Sequence, residues 1–207
     1  MTLPEYILLA TSSLFVIIDP LATVPAFLAM TPTDTPQARI KMARLACFVT
    51  AGVLIGFSLV GKWIFKFLSI TMPSFQIAAS IVLLLVALDL LRAQRSRVHE
   101  TSEETAAGME KTDIAVAPLA IPMLAGPGAI STVILLQNQA ANFIQHIALY
   151  GCILLVSLLT YIILRVSARG AQWLSPIALN ITARIMGLLL CAVAIQFMVN
   201  AIRELLK

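Results

Sequence analysis

Long runs of apolar residues alternate with short polar segments along this chain. A helix of about 20 apolar residues is long enough to cross the roughly 30 Å hydrocarbon core of a bilayer. The runs predict six transmembrane helices, at residues 3–30, 43–61, 72–91, 114–137, 146–164 and 183–202. The predicted fold is therefore an all-α polytopic membrane protein.

Composition supports this class. The chain is 60% hydrophobic and 12% charged, whereas soluble domains carry about 25% charged residues. The net charge of +4 is not a sign of nucleic-acid binding, because basic residues in a membrane protein mostly mark the loops that face the cytoplasm. We expect the lipid bilayer as a partner, and no nucleic acid.

The basic residues also predict an orientation. Ten of the 14 Lys and Arg residues lie in the first, third and fifth segments between spans or within two residues of them. The positive-inside rule then puts these segments in the cytoplasm and both termini on the opposite side. The third segment, residues 93–113, is the only sizeable polar stretch and is predicted to be a cytoplasmic linker. It separates a first half, residues 1–92, from a second half, residues 114–207.

Two helix-breaking sequences interrupt the first and fourth runs, and Pro20 and Pro127 set them 107 residues apart. Proline has no N–H to donate and clashes with the carbonyl one turn earlier, so a continuous helix is disfavoured. Asp19 is a favoured N-cap residue and proline a favoured first helical residue, and Gly126 can also cap. Each break is therefore predicted to start a second half-helix.

The spacing of the breaks indicates an internal repeat. Because each half has three spans, an odd number, the two halves cross the membrane in opposite directions. The prediction is therefore an inverted 3+3 repeat with broken helices 1 and 4. The second and fifth spans show no residue-level match. A pair of interrupted segments in corresponding halves is the best sequence pointer to a transporter's binding site.

The breaks supply the candidate site. A half-helix start has unpaired N–H groups and partial positive charge, which attract a carboxylate. Asp19 is the mid-span carboxylate, and it would pair with a substrate ammonium, bind a coupling cation or take up a proton. The predicted substrate- or ion-binding residues are Asp19, Pro20, Thr23, Pro25, Gly126, Pro127, Gly128, Ser131 and Thr132. The alternative is structural: proline kinks are common in membrane helices, with Asp19 serving only as a cap.

The leading hypothesis is a secondary transporter that moves a small solute coupled to H⁺ or Na⁺. The chain has no Gly-rich phosphate loop for ATP-driven transport. A non-transporting membrane scaffold or partner subunit is the alternative, and an intramembrane enzyme is less favoured because G-x-S-x-G and H-E-x-x-H are missing. We expect no enzyme activity, no metal and no cofactor. A homo-oligomer is left open.

These residues resemble the MarC family. The family's first-span pattern Asp/Asn-Pro-x-Gly-x-x-Pro-x-Phe is matched from Asp19 to Phe27, with Ala22 in place of the glycine. Its fourth-span pattern Pro-Leu-Ala-x-Pro-x-x-Ala-Gly-Pro-Gly-Ala-Ile is matched from Pro118 to Ile130. The Arg-x-x-Gly start of the sixth span is matched by Arg184 and Gly187.

The third span departs from the family, since Ala79 and Ser80 replace a usual glycine pair. The resemblance covers essentially the whole chain. It implies a six-span protein of the bacterial inner (cytoplasmic) membrane, which together with the charge pattern puts both termini in the periplasm. The family is grouped with neutral amino acid transporters and is similar to LysE-type exporters, so the resemblance implies a small-molecule transporter with neutral amino acids as a substrate class.

Overall fold

The computed structural model describes residues 1–31, 34–91, 115–170 and 176–206. Within these ranges the chain forms seven helices and no strand, which confirms the all-α prediction. The helices are α1 (Leu3–Ile18), α2 (Pro20–Met30), α3 (Pro36–Phe67), α4 (Met72–Leu91), α5 (Pro127–Gln139), α6 (Phe143–Gly170) and α7 (Pro176–Leu205). Before α5 lies an interrupted helical stretch, Ala115–Leu124, which we call the double-proline segment. The predicted linker, residues 93–113, lies outside the described residues.

Membrane-crossing length is reached in four places among the described residues, and in a fifth if a bent pair is counted as one span. The four are Leu3–Met30, Pro36–Phe67, Phe143–Gly170 and Arg184–Leu205. The fifth joins the double-proline segment to α5 across a bend of 58°. The apolar part of α4, Met72–Leu88, is shorter than this length. The protein is a multi-pass membrane protein, and the count of six spans stays a prediction.

The second span is longer than its predicted range of 43–61, because α3 begins at Pro36. The sequence predicts a loop for the basic residues at its start, but Arg39 is buried, with 3% of its surface exposed. Its Nε and one terminal nitrogen donate to the carbonyl of Thr31 at 3.0 and 2.6 Å. A cation at the end of a helix interacts favourably with the helix dipole, so Arg39 ties the end of α2 to the start of α3.

The double-proline segment is not a regular helix. The residues before its two prolines, Ala117 and Ile121, are extended, with φ and ψ of −131° and 125° and of −129° and 122°. Steric clash with the proline ring favours this conformation before any proline. Both X-Pro peptide bonds are cis. Two short turns therefore approach the second break in place of a continuous helix.

In an inverted repeat, each contact between two elements is expected to recur between the corresponding elements of the other half. The packing of this protein largely follows that rule. The double-proline segment, α5, α6 and α7 then correspond to α1, α2, α3 and α4. Both self-paired contacts occur, α3 with α6 and α4 with α7. The contacts of α1 with α6, α1 with α5, α2 with α7 and α3 with α5 each have their counterpart. Among the described residues, two contacts have no counterpart of similar extent: α4 with the double-proline segment, and α5 with α6.

Burial along α3 and α6 repeats at an offset of 106, one residue less than the offset that separates the prolines. The sequence shows no match between these two helices, but their core positions correspond. The buried pairs are Arg39 and Gln145, Ala43 and Leu149, Ala46 and Cys152, Cys47 and Ile153, Thr50 and Val156, Ala51 and Ser157, Leu54 and Thr160, and Ser58 and Leu164. The two helices therefore present equivalent faces to the core although their side chains differ. The half boundaries at residues 92 and 114 remain predictions.

Candidate functional site

The first break is a single residue wide. Helix α1 ends at Ile18 and α2 begins at Pro20, with Asp19 between them in the left-handed conformation (φ 42°, ψ 68°). Aspartate and asparagine are among the few non-glycine residues that adopt this conformation readily. Oδ1 of Asp19 accepts the N–H of Ala22 at 3.2 Å. The predicted N-cap is therefore present in the structure.

The backbone of Asp19 joins the two half-helices. Its N–H donates to the carbonyl of Phe15 at 3.0 Å, and its own carbonyl accepts the N–H of Thr23 at 3.2 Å. The hydroxyl of Thr23 donates to the same carbonyl at 3.0 Å. Because these bonds cross the break, α1 and α2 continue as one apolar span of 28 residues, Leu3–Met30.

The side chain of Asp19 is exposed in the middle of this span. A carboxylate at that depth is costly when it faces hydrocarbon, and such groups usually face a water-filled cavity or a partner of opposite charge. Its cap bond uses one oxygen and leaves acceptor capacity on the carboxylate. Asp19 is therefore positioned to bind a cation or an ammonium group.

The second break is built differently. Helix α5 begins at Pro127 with Gly126 as its N-cap, as predicted, but this cap has no side chain to bond the first turn. The N–H of Ile130 donates to the Gly126 carbonyl at 3.0 Å. A Cβ on Gly126 would lie 2.6 Å from the carbonyl oxygen of Pro122, which is backbone and cannot move aside easily. Only glycine fits this turn.

The two breaks lie against each other. A Cβ on Gly128, one residue into α5, would lie 3.3 Å from Cγ2 of Ile17, two residues before Asp19. At the other end of the same helix pair, the buried hydroxyl of Tyr6 donates to the carbonyl of Leu136 at 2.9 Å. Helices α1 and α5 are therefore antiparallel neighbours, and their contact brings the paired interruptions together.

A groove of about 490 Å³ runs along this helix pair. Its lining is mostly apolar, with four polar side chains. The lining residues are Leu9, Ser12, Ser13, Val16, Ile17, Thr132, Leu135, Leu136 and Gln139. Since Ile17 also touches the start of α5, the groove leads from the Gln139 end of α5 towards the breaks.

The predicted hydroxyls all bond within their own helices. Ser131 donates to the carbonyl of Pro127, and Thr132 donates to the carbonyl of Gly128 at 2.8 Å. Thr23 does the same with Asp19, and it is buried while the other two are half-buried. Their protons are committed to these bonds, so the oxygens remain available as acceptors. Among the three, Thr132 lines the groove.

The prolines of the candidate site have structural positions. Pro20 and Pro127 are buried as the first residues of α2 and α5. Pro25 is half-buried inside α2. Since proline has no side-chain donor or acceptor and no N–H, these three shape the breaks and leave recognition to their neighbours.

The electrostatics of the two breaks are unequal. The start of α2 is capped by the carboxylate of Asp19, whereas the start of α5 has no side-chain cap. The first-turn N–H groups of α5 therefore keep their partial positive charge for an external anion. The two helix starts do not act as equal halves of one carboxylate receptor. One break offers a negative group and the other offers amides.

Sequence reasoning missed part of the groove. Ser12 and Ser13 lie in the first apolar run, and Gln139 ends α5. The available signal was the Ser-Ser pair about two turns before Asp19, which carries little weight because serine is common in membrane helices. In the described part of the chain, no group of three or more His, Cys, Asp and Glu residues is arranged to hold a metal ion.

Comparison with known proteins gives one consistent result. The family model described as MarC family integral membrane protein matches residues 4–206. A UPF0056 membrane protein of Methanocaldococcus jannaschii is 35% identical over 96% of this chain and 97% of its own length. The UPF0056 membrane protein YvbG of Bacillus subtilis is 34% identical over 88% of this chain and 87% of its own.

The UPF0056 membrane protein YhcE of Escherichia coli is 29% identical over 92% of this chain and 88% of its own length. These names state a membrane protein and no transported solute. No solved structure matches the chain.

Proposed function

We propose that this chain, which belongs to the MarC family of integral membrane proteins, is a secondary transporter of a small solute coupled to H⁺ or Na⁺. Neutral amino acids are the first solute class to test. We further propose that it lies in the bacterial inner membrane with both termini in the periplasm, as the distribution of Lys and Arg suggests.

One observation carries the proposal: an exposed mid-span carboxylate follows by two residues the side chain that touches the uncapped start of α5. Asp19 follows Ile17 by two residues, and Ile17 touches Gly128 at the start of α5. A site that offers a carboxylate next to free helix-start amides complements a zwitterion, whose ammonium and carboxylate are also a few bonds apart. Neutral amino acids have this charge pattern.

The roles follow from the geometry. The first-turn N–H groups of α5 would bind the solute carboxylate, because no side chain of Gly126 competes for them. Asp19 would bind the ammonium or the coupling cation with the acceptor capacity that its cap bond to Ala22 leaves free. The groove with Thr132 on its wall lies beside this site.

The test is solute flux into liposomes that contain the purified protein. Uptake of alanine and glycine is followed under an imposed Na⁺ gradient and, separately, a proton gradient. Asp19→Asn is the informative variant, because asparagine is as good an N-cap and also adopts the left-handed conformation. It removes the charge and keeps the break.

Glu5→Gln is the matched control. Glu5 lies on the same span, where its side chain accepts the N–H of Thr2 at 2.8 Å, and glutamine keeps that acceptor. We expect gradient-driven accumulation to be lost in Asp19→Asn and kept in Glu5→Gln. Normal accumulation by Asp19→Asn would remove Asp19 from the coupling role. A wild-type protein with no flux and no ligand-dependent rise in thermal stability would favour the scaffold alternative.

A further inference from the structure

Two buried hydroxyl groups lie on the pair of helices α3 and α6, which pack against each other. Thr50 on α3 is 2% exposed and Ser157 on α6 is 6% exposed. Neither hydroxyl has a hydrogen-bond partner among the residues that the structure describes.

An unsatisfied hydroxyl in the core is unfavourable, and a buried polar group without a partner requires an explanation. The neighbouring Thr160 on α6 shows the usual arrangement, since its buried hydroxyl donates to the carbonyl of Val156 at 2.8 Å. Thr50 and Ser157 do not make this bond. Valine or alanine would fill these positions without any polar penalty, so the hydroxyls are suited to a partner that arrives from outside the fold.

Thr50 lies just beyond the breaks on one side. Helix α3 starts where α2 ends and runs back in the opposite direction, which is the direction of α5. Gly61 of α3 contacts Ile134 of α5, and counting seven residues back along both helices brings Leu54 level with Pro127. Thr50 is four residues further, about one turn or roughly 6 Å, towards the start of α3.

Ser157 lies beyond the breaks on the other side. Helices α1 and α6 run in the same direction, because Gln145 donates to the carbonyl of Met1 and Cys152 to that of Ile7. Counting ten residues along both from the second contact brings Ile162 level with Ile17, which touches the second break. Ser157 is five residues back, about 7.5 Å towards the start of α6.

A third hydroxyl occurs at the level of Ser157. Thr11 follows Ile7 by four residues, and Ser157 follows Cys152 by five, so the contact of Ile7 and Cys152 brings them to nearly the same depth. The hydroxyl oxygen of Thr11 is also buried without a partner among the described residues. Helices α1 and α6 pack against each other. Two unsatisfied hydroxyls therefore flank the seam on this side.

We propose that the seam between α3 and α6 is the solute pathway on either side of the breaks, and that Thr50 and Ser157 are its two polar binding positions. Each hydroxyl can donate one hydrogen bond and accept up to two. The ligand class is a small neutral or zwitterionic solute with both hydrogen-bond donors and acceptors. Water would occupy these positions before the solute binds. The inference rests on the proposed transport function and assigns to it a path and two residues.

The two hydroxyls lie on opposite sides of the breaks. Alternating access in inverted-repeat transporters moves one half against the other about a fixed central site. Residues on opposite sides of that site then become hydrated from opposite sides of the membrane. Ser157 would be reached from the side of the chain termini, and Thr50 from the side where α3 begins.

The experiment is thiol labelling in membrane vesicles of both orientations. The three native cysteines, Cys47, Cys152 and Cys191, are first replaced by alanine. Thr50→Cys and Ser157→Cys are then treated with a membrane-impermeant, positively charged methanethiosulfonate. The controls are Ala51→Cys and Val156→Cys, which are buried neighbours one residue away on the same helices and point about 100° away from the test positions. Each variant is first shown to be monodisperse by gel filtration.

We expect Ser157→Cys to be labelled to completion from the side of the termini and Thr50→Cys from the opposite side, with both controls unlabelled. Equal labelling of tests and controls would overturn the proposal, and so would labelling of only one test position. Labelling does not depend on flux. A protein that transports alanine but is not labelled would support the proposed function and rule out this pathway. A protein that is labelled but does not transport alanine would support a hydrated pathway and contradict the proposed function.

A second measurement uses variants that only remove the hydroxyl. Thr50→Val and Ser157→Ala are expected to unfold at the same or a higher temperature than wild type, because they delete an unsatisfied polar group, and to lose solute flux. Thr160→Val, which breaks the bond to Val156, is expected to unfold at a lower temperature. A lower unfolding temperature for both Thr50→Val and Ser157→Ala would show that their hydroxyls have structural partners and would overturn the proposal.

Discussion

Gly128 and Ile17 are in direct contact, and a methyl group on Gly128 would lie 3.3 Å from Cγ2 of Ile17. The two residues belong to opposite halves of the chain and to the two interrupted spans. Their contact sets the distance between Asp19 and the start of α5. The spacing of the candidate site therefore depends on a glycine whose only close neighbour is the other break.

Gly128→Ala should weaken transport more than it weakens the fold. Ile17 must give way by a few tenths of an ångström, and displacements of about 1 Å can cost about 100-fold where groups must be positioned. We expect a reduction of flux of about tenfold, with a change in the free energy of unfolding of less than about 1 kcal/mol. Flux in liposomes and thermal unfolding in detergent measure the two effects.

Gly151→Ala is the control for this substitution, since the methyl group of an alanine there would meet no heavy atom within 4 Å. It should leave flux unchanged. Equal flux in both variants would show that the contact of Gly128 and Ile17 does not position the site.

Replacing Asp19 by asparagine should leave the stability of the fold nearly unchanged, whereas replacing it by alanine should lower the stability. Alanine loses the cap on the N–H of Ala22, at about 1 kcal/mol, and must adopt a left-handed conformation, at about 1–2 kcal/mol. Asp19→Ala should therefore lower the free energy of unfolding by about 2–3 kcal/mol. Asp19→Asn should stay within about 0.5 kcal/mol of wild type.

Thermal or denaturant unfolding of the three proteins in one detergent makes this comparison. Equal stability of the alanine and asparagine variants would mean that the cap and the left-handed turn do not limit the fold.

Tyr6→Phe should loosen the outer end of the helix pair formed by α1 and α5. The variant removes the buried bond from the tyrosine hydroxyl to the carbonyl of Leu136. A buried hydrogen bond contributes about 1 kcal/mol, and the carbonyl keeps its bond from the N–H of Ala140. We expect a loss of about 1 kcal/mol in the free energy of unfolding.

Tyr161→Phe is the matched control, because its hydroxyl has no hydrogen bond in the described part of the chain and its ring is half-buried. Its free energy of unfolding should equal that of wild type. A Tyr6→Phe protein as stable as this control would contradict the predicted contribution of the bond.

Gly187→Ala should separate α4 from α7. A Cβ on Gly187 would lie 2.9 Å from the carbonyl oxygen of Ala87 and 2.9 Å from the backbone nitrogen of Leu91. Overpacking against backbone costs about 1–3 kcal/mol, which a lower unfolding temperature would report.

Gly52→Ala provides a control of opposite sign. Its methyl group would meet no atom within 4 Å, and alanine is a better helix former than glycine by about 1 kcal/mol. We expect Gly52→Ala to raise the unfolding temperature while Gly187→Ala lowers it. The same direction for both would show that helix propensity, and not the contact of α4 with α7, decides the effect at Gly187.

Several features could be predicted because they depend on local chemistry. The apolar runs predicted an all-α membrane protein, and the two half-helices begin at Pro20 and Pro127 because proline terminates the preceding hydrogen-bond ladder. The N-cap of Asp19 followed from the same local reasoning. Helix lengths were less accurate, since α3 begins at Pro36 with Thr35 as its N-cap, seven residues before the predicted span.

The sequence by itself determined where the two broken helices are interrupted and which residue caps each restart. It did not determine that the breaks touch, that Asp19 occupies its own helix start while α5 remains uncapped, or that Thr50 and Ser157 lack partners among the described residues. Helix propensity and capping act within about one turn, so they can be read from neighbouring residues. Contacts between Ile17 and Gly128 join residues far apart in the chain, and only the packing of the two halves decides them.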